Sequence, residues 1–209
     1  MNTSSPVFVS AAVEGKTDEP VVRKLVDHAG ARIHRIYVKG GKDRLKGDVR
    51  GYDNAARRAP WFVLVDLDRD KSLEPAEDCA PVLRREWLPN PASGMCLRVA
   101  VRAMEAWLLA DAETLAEFLH VPRSRIPGVP EALDHPKRQI VNLARRSNHR
   151  AIRRDMIPRE GSGRSVGPGY ESKVIEYAQR RWRPAVAAKR SDSLRRAMAC
   201  LDRLVGAGS

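Results

Sequence analysis

The sequence predicts an α/β fold in which a central parallel sheet carries helices on both faces. Four short segments rich in Val, Ile and Leu alternate with helical segments, in the order β-α-β-α-β-α-β. Some of these strands are apolar without interruption, as strands buried on both faces are. Helices between consecutive strands are typical of parallel sheets, because each strand needs a crossover to bring the chain back to the same edge.

The elements follow from local pattern. The predicted strands are PVFVSAAV, RIHRIYV, WFVLV and MCLRVAVRA. The first helix covers EPVVRKLVDHAG, and Thr17 or Asp18 is expected to cap it. The second is expected to end before Pro60, and the third to run from Ala76 to Trp87. After the fourth strand come MEAWLLAD and the helix AETLAEFL, which Asp111 can cap.

The remainder is predicted to be a basic, mostly helical C-terminal lobe. Residues 121–209 hold 20 Lys and Arg against 8 Asp and Glu, an excess that equals the net charge of +12, whereas residues 1–120 hold 18 of each. We therefore divide the chain into a core of 1–120 and a lobe of 121–209 that packs on or extends the core. Three amphipathic helices are expected in the lobe: PKRQIVNLARRSNHRAIRRDM, YESKVIEYAQRRW and SDSLRRAMACLDRLV.

The strongly basic balance indicates an anionic partner, and nucleic acid is the first choice. No apolar run approaches the roughly 20 residues that span a bilayer, so we expect a cytoplasmic protein with no membrane partner. Cys79, Cys96 and Cys200 are scattered and are expected to be reduced thiols.

The segment Gly15-Lys16-Thr17 looks like the end of a phosphate-binding loop. That motif needs a glycine five positions earlier, where this chain has Ser10, and Glu14 would bring negative charge beside the phosphates. A nucleotide-binding loop is therefore excluded.

Acidic residues follow three of the predicted strands. Glu14 ends the first strand, Asp66 and Asp68 follow the third, and Glu105 follows the fourth. Ligand sites of parallel sheets lie beyond the carboxyl ends of the strands. Asp66 and Asp68 should point the same way if the segment is extended, because side chains repeat every two residues.

Carboxylates in this arrangement suit Mg²⁺ or Mn²⁺, and without a cation they would raise one another's pKa. Each acid also has a plainer interpretation. Asp66 and Asp68 can cap the next helix, Glu14 can belong to a turn, and Glu105 can be an exposed helix residue. The combination is more specific than its parts.

Basic residues near the same edge could hold a scissile phosphate. Lys39, Lys42 and Arg44 follow the second strand, and Arg98 and Arg102 flank the start of the helix that carries Glu105. Solvated surface charge is the alternative for each, and Arg102 is preferred because it lies three residues before Glu105. In the lobe, Lys173 could also contact substrate. Tyr170 and Trp182 could stack on bases, although Trp182 fits the buried face of a helix better.

The tracts VEGKTDEPVV and FVLVDLDRD resemble a Toprim domain, the fold shared by topoisomerases, primases and OLD-type nucleases. The resemblance covers roughly residues 6–110. It implies that Glu14, followed by Gly15, and the pair Asp66 and Asp68 are the active-site acids. Asp70, in the same tract, is either a further metal ligand or a helix cap.

The tract RVAVRAMEAWLLAD resembles a small Toprim-like family found beside ABC or SMC-type ATPases in bacterial defence loci, and that resemblance makes Glu105 a further active-site acid. Together these features predict a metal-dependent nuclease that cleaves DNA or RNA, with an ATPase partner in anti-phage defence. The expected catalytic residues are Glu14, Asp66, Asp68, Glu105 and Arg102, with Mg²⁺ or Mn²⁺ at Glu14, Asp66, Asp68 and Asp70. The alternative is a non-catalytic nucleic-acid-binding or regulatory module that retains the fold.

Overall fold

Four strands form one parallel sheet in the computed structural model, which describes residues 6–68 and 76–206. They are β1 (Phe8–Val13), β2 (Arg32–Val38), β3 (Trp61–Asp66) and β4 (Met95–Ala100), hydrogen-bonded in the order β2-β1-β3-β4. The predicted α/β class and all four strands are confirmed. In the register of the sheet, Val13 lies opposite Leu64 and Asp66 opposite Ala100. The carboxyl ends of β1 and β3 therefore lie side by side.

The chain divides into two compact units. The first comprises residues 1–101 and 193–209, and the second comprises 102–192. These bounds differ from the 1–120 and 121–209 suggested by the charge distribution, because the distribution of charge does not determine which residues pack together. Each unit is described below by itself.

Helices cover both faces of the sheet in the first unit. The helices there are α1 (Asp18–His28), α2 (Lys42–Ala56), α3 (Ala76–Trp87) and most of α10 (Asp192–Gly206). On one face, Leu45 and Val49 of α2 and Leu83 of α3 join Val63 and Leu97 of the sheet in one buried cluster. The other face carries α1, which buries Val21, Val22, Leu25 and Val26.

Helix α10 belongs to the first unit, although the sequence places it in the C-terminal lobe. Cys96 of β4 and Cys200 of α10 form a disulfide with a Cα–Cα distance of 6.2 Å. The Val101 N–H also donates to Ser193 Oγ at 3.3 Å. The expectation of reduced thiols is therefore wrong for Cys96 and Cys200, and the side chain of Cys79 lies outside the described residues.

The second unit is helical throughout its regular structure within the described residues. Its helices are α4 (Met104–Ala110), α5 (Ala112–Leu119), α6 (Pro136–Arg145), α7 (Arg150–Met156), α8 (Tyr170–Arg180) and α9 (Pro184–Ala187), with short 3₁₀ turns at Arg123–Arg125, Pro130–Ala132 and Ala188–Arg190.

The single basic helix predicted over residues 136–156 is wrong, because the chain breaks between α6 and α7. Ser147 stabilises the break. Its Oγ accepts a hydrogen bond from the His149 N–H at 3.0 Å, and its carbonyl accepts one from Arg153 Nη1. A polar side chain that bonds locally to the backbone competes with helix continuation.

Two predicted caps also differ from expectation. Thr17 and Asp111 stand at the N-caps of α1 and α5, but neither side chain makes a capping bond to the helix backbone. The Asp111 carboxylate instead accepts hydrogen bonds from the Arg183 N–H, Nε and Nη2 at 2.7–3.1 Å. Trp182 is fully buried and donates from Nε1 to the Trp107 carbonyl at 3.1 Å, as the buried interpretation predicts.

Within the described ranges, no helix combines the length and the apolar character needed to cross a bilayer.

Candidate functional site at the carboxyl edge of the sheet

The turn after β2 brings a lysine to the carboxyl edge of the sheet. The Gly40 N–H donates to the Glu14 carbonyl at 2.8 Å, so β2 stays paired to the end of β1. Gly40 and Gly41 then adopt φ values of 72° and 142°, which residues with a side chain rarely adopt. This glycine pair turns the chain directly into α2, whose first residue is Lys42.

Lys42 binds the turn that follows β3. Its Nζ donates to the carbonyl of Asp66 at 2.7 Å, to the carbonyl of Leu67 at 3.0 Å and to Asp68 Oδ2 at 3.0 Å. Three oxygens of one short segment thus converge on a single positive charge. The oxygen atoms of this segment are therefore arranged in a way that can attract a cation.

The geometry of this turn corrects one expectation. Strand β3 ends at Asp66, and Asp68 has φ 61°, in the left-handed region. The segment from Asp66 to Asp68 is therefore not extended, and the two carboxylates do not follow the two-residue repeat of a strand. The left-handed conformation is one that Asp tolerates better than most residues, because its short side chain can bond locally.

Glu14 reaches across from β1 to β3. Its Oε1 accepts a hydrogen bond from the Asp66 N–H at 2.8 Å. The pKa of Glu14 is raised to about 7, mainly by burial and in part by the charges of Asp68 and Asp18, against the Asp66 hydrogen bond and Lys42, which lower it. Glu14 is therefore a carboxyl group that exchanges its proton near neutral pH.

Asp18 is the fourth acid of this group. It is buried, and its Oδ2 accepts a hydrogen bond from the Gly15 N–H at 2.8 Å, which closes the turn between β1 and α1. Its charge acts on Glu14. The name strand-end acids is used below for Glu14, Asp18, Asp66 and Asp68.

The strand-end acids offer oxygen ligands of the kind that a divalent metal prefers. Hard carboxylate and carbonyl oxygens are present, and the mutual repulsion of Glu14, Asp18 and Asp68 is the repulsion that a cation would relieve. A complete coordination shell is not preformed: in the part of the chain that the structure describes, no three Asp, Glu, His or Cys side chains are grouped to hold a metal. Asp70, the fourth predicted ligand, lies outside the described residues.

Glu105 and Arg102 belong to the second unit, and both are buried. The Glu105 side chain is only 3% exposed; its Oε1 accepts a hydrogen bond from Tyr170 Oη at 3.3 Å and lies 3.5 Å from Lys137 Nζ. The expectation of an exposed helix position is wrong for Glu105. A buried carboxylate held by a hydroxyl and a lysine is a positioned group, which is what a catalytic acid requires.

Several other predicted contacts are already used within the protein. Lys39 pairs with Asp48, and Lys173 Nζ lies 2.8 Å from Glu176 Oε2. Tyr170 and Trp182 are buried, so neither offers a free ring face on which a base could stack.

Two residues of this site, Asp18 and Lys42, could not be singled out from the sequence. Asp18 reads as a helix cap, and Lys42 reads as one of three surface cations after β2. The signal for Lys42 was the glycine pair before it, because two glycines between a strand and a helix force a tight turn. The sequence does not indicate that this turn places Lys42 beside Asp66.

The fold and the strand-end acids define an α/β protein with an acidic cluster at the carboxyl edge of a parallel sheet. A family model described as a domain of unknown function (DUF4276) matches residues 13–171, which is more than half of the 209 residues. The chain belongs to this family. No curated protein and no solved structure matches the chain.

Proposed function

We propose that this protein is a metal-dependent nuclease that cleaves phosphodiester bonds of DNA or RNA. The observation that carries the proposal is that the Glu14 carboxylate accepts a hydrogen bond from the Asp66 N–H at the carboxyl edge of the sheet, where the charge of Asp68 also acts on it. The resemblance of the surrounding tracts to Toprim nucleases supports the choice of reaction.

Mg²⁺ or Mn²⁺ would be held by Glu14, Asp66 and Asp68, with Asp70 as a further ligand. Bound there, such a cation would supply charge to activate a water molecule and to stabilise the leaving oxygen. The chain's own groups prepare the site. The Glu14 carboxyl gives up its proton near neutral pH, and Lys42 holds the 66–68 turn while adding positive charge where a phosphate would approach.

Glu105 and Arg102, in the second unit, are proposed as further catalytic residues. Tyr170 and Lys137 hold the Glu105 carboxylate in place, and the resemblance of its tract to Toprim-like defence proteins supports its role. Arg102 is proposed to contact the substrate phosphate. The same resemblance supports an ABC or SMC-type ATPase as partner and anti-phage defence as the setting. The cytoplasm is proposed as the compartment.

The test is cleavage of labelled single-stranded and duplex DNA and RNA with Mg²⁺ or Mn²⁺. We expect Asp66→Ala to abolish cleavage, a loss of at least about 100-fold, because it removes a ligand of the ion that carries the charge stabilisation. The matched control is Asp27→Asn, an exposed acid on α1, which should leave the rate unchanged. If wild type and Asp66→Ala cleave equally, the proposal fails.

A second function has one specific observation in its favour. The Lys42 ammonium already occupies the oxygens of the 66–68 turn, as a structural cation would. In that case the protein is a nucleic-acid-binding or regulatory module without catalysis. A gel shift that is sensitive to salt and unaffected by EDTA, without cleavage under any metal, would support this alternative.

A further inference from the structure

Four arginines of the first unit lie around β4, the strand at the edge of the sheet. Arg98 projects from β4, and the charges of Arg84 on α3 and of Arg196 and Arg203 on α10 act on it. The name arginine cluster is used below for these four residues. Two of the four lie beyond residue 171, outside the range that the family model matches.

The disulfide places the two arginines of α10 near Arg98. Arg196, Cys200 and Arg203 follow a spacing of four and three residues, so they share one face of α10. Cys96 and Arg98 are two residues apart on β4, so they share one face of the sheet. The bond between Cys96 and Cys200 therefore brings the arginine-bearing stripe of α10 over the Arg98 face of β4.

Arg98 is buried, with 9% of its surface exposed, and its Nε has no hydrogen-bond partner among the described residues. A buried guanidinium N–H without an acceptor is costly, so native proteins almost always pair it. The cluster reaches solvent, because Arg84 is half-buried and Arg196 and Arg203 are exposed. A cavity of about 380 Å³ adjoins it, lined in part by Arg84, Arg85, Cys96 and Cys200.

The electrostatics of the cluster point to an anion. Burial, and then the charges of Arg84, Arg203 and Arg196, lower the pKa of Arg98 to about 10. Burial and the charges of Arg196 and Arg203 likewise lower the pKa of Arg84. Arg98 remains charged at neutral pH, so its positive charge is repelled by those of the other three arginines. A ligand of opposite charge would relieve both the repulsion and the missing hydrogen bond.

We propose that Arg84, Arg98, Arg196 and Arg203 form a binding site for a phosphate group. Guanidinium groups present paired donors that match phosphate oxygens, and several of them suit a group carrying up to two negative charges. Arg98 would be the central donor, and the exposed Arg196 and Arg203 would stand at the entrance. The inference does not depend on nuclease activity, because it uses none of the strand-end acids.

The test is thermal unfolding of the full chain in chloride and in inorganic phosphate at equal ionic strength. We expect 10 mM phosphate to raise the Tm of the wild type by about 5 °C, since a ligand that binds only the folded state stabilises it. Arg98→Met should lose this shift. Arg58→Gln, an exposed arginine of the same unit, should keep it.

A second arm replaces phosphate with a short single-stranded oligonucleotide. A shift with inorganic phosphate means that a free phosphate group is recognised, whereas an Arg98-dependent shift with the oligonucleotide alone means that the phosphate belongs to nucleic acid. Because Arg98→Met alters a buried site, Arg203→Gln serves as a second variant and should weaken phosphate binding about tenfold. The inference is overturned if neither ligand shifts the Tm, or if both variants respond as the wild type does.

Discussion

At the scale of single residues, Glu14 is the group whose properties depend most on its surroundings in the folded protein. In the sequence it is an acid before a glycine, whereas in the structure it is buried, hydrogen-bonded to the Asp66 N–H and close to the charges of Asp68 and Asp18. Its pKa of about 7 means that its carboxyl group changes ionisation near neutral pH. Glu14 therefore links protonation to stability.

This link predicts how stability depends on pH. The folded-state pKa of Glu14 lies above its ordinary value of 4.5, so the folded protein binds more protons than the unfolded chain between pH 4.5 and 7. The contribution of Glu14 to stability is therefore fully present below pH 4.5 and is lost as pH rises through 7. Measured by urea unfolding, the wild type should lose about 2 kcal/mol relative to Glu14→Gln between pH 4.5 and 8.

The amide of Glu14→Gln can still accept the Asp66 hydrogen bond, so the comparison isolates the charge. If the proposed metal site is present, adding Mg²⁺ should restore stability to the wild type at pH 8 and have little effect on the variant, since the ion would bind the ionised carboxylate. Parallel pH profiles for the two proteins would contradict the assignment.

At the scale of elements, two glycines with opposite roles show where local preference and packing disagree. Gly47 lies exposed in the interior of α2, and a Cβ added there meets nothing within 4 Å. Gly94 precedes β4, and a Cβ there would clash with the Ala56 carbonyl oxygen at the end of α2. The Gly94 carbonyl also accepts the Trp61 N–H at 2.9 Å, so its backbone is held from the other side.

We therefore expect opposite effects from the same substitution. Gly47→Ala should raise the free energy of unfolding by about 0.8 kcal/mol, because Ala loses less backbone entropy in a helix. Gly94→Ala should lower it by about 2 kcal/mol, because the added methyl group displaces packed backbone. The measurement is chemical denaturation of the two variants beside the wild type. Equal effects on the free energy of unfolding would contradict the close packing of Gly94 against the end of α2.

Patterns within one element were predictable, but breaks maintained by nearby backbone bonds were not. All four strands follow from short apolar segments, a pattern that depends on neighbouring residues alone, and α3 has the range that was predicted for it. The interruption between α6 and α7 depends on Ser147, whose bonds to His149 and Arg153 leave the apolar pattern unchanged. A continuous amphipathic pattern therefore concealed two helices.

At the scale of the whole molecule, the excess of positive charge and the division into compact units follow different boundaries. The charge is concentrated after residue 120, whereas the second unit spans 102–192. Within that unit, Arg125, Arg145 and Arg146 line a depression of about 650 Å³ together with Gln139 and Asn142. This surface is where we expect a nucleic-acid backbone to bind.

Salt dependence tests that expectation. Replacing Arg145 and Arg146 by Gln should reduce the slope of log affinity against log salt by about 1.4 for a single-stranded ligand, because each phosphate contact releases condensed counterions. The double substitution of Arg57 and Arg58 by Gln makes the same change of charge on exposed residues of the first unit and should leave the slope unchanged. Equal slopes for the two double variants would mean that the binding surface lies elsewhere.

The order of strands and helices, and the acids that end β1 and β3, could be derived from the sequence because each depends on a few neighbouring residues. Packing decided the rest. Lys42 binds a carbonyl 24 residues away, and Cys96 pairs with a cysteine 104 residues later, carrying the arginines of α10 to β4. Periodicity does not encode which distant side chains meet. Those meetings depend on strand order and helix placement, which the chain acquires only when it buries its core.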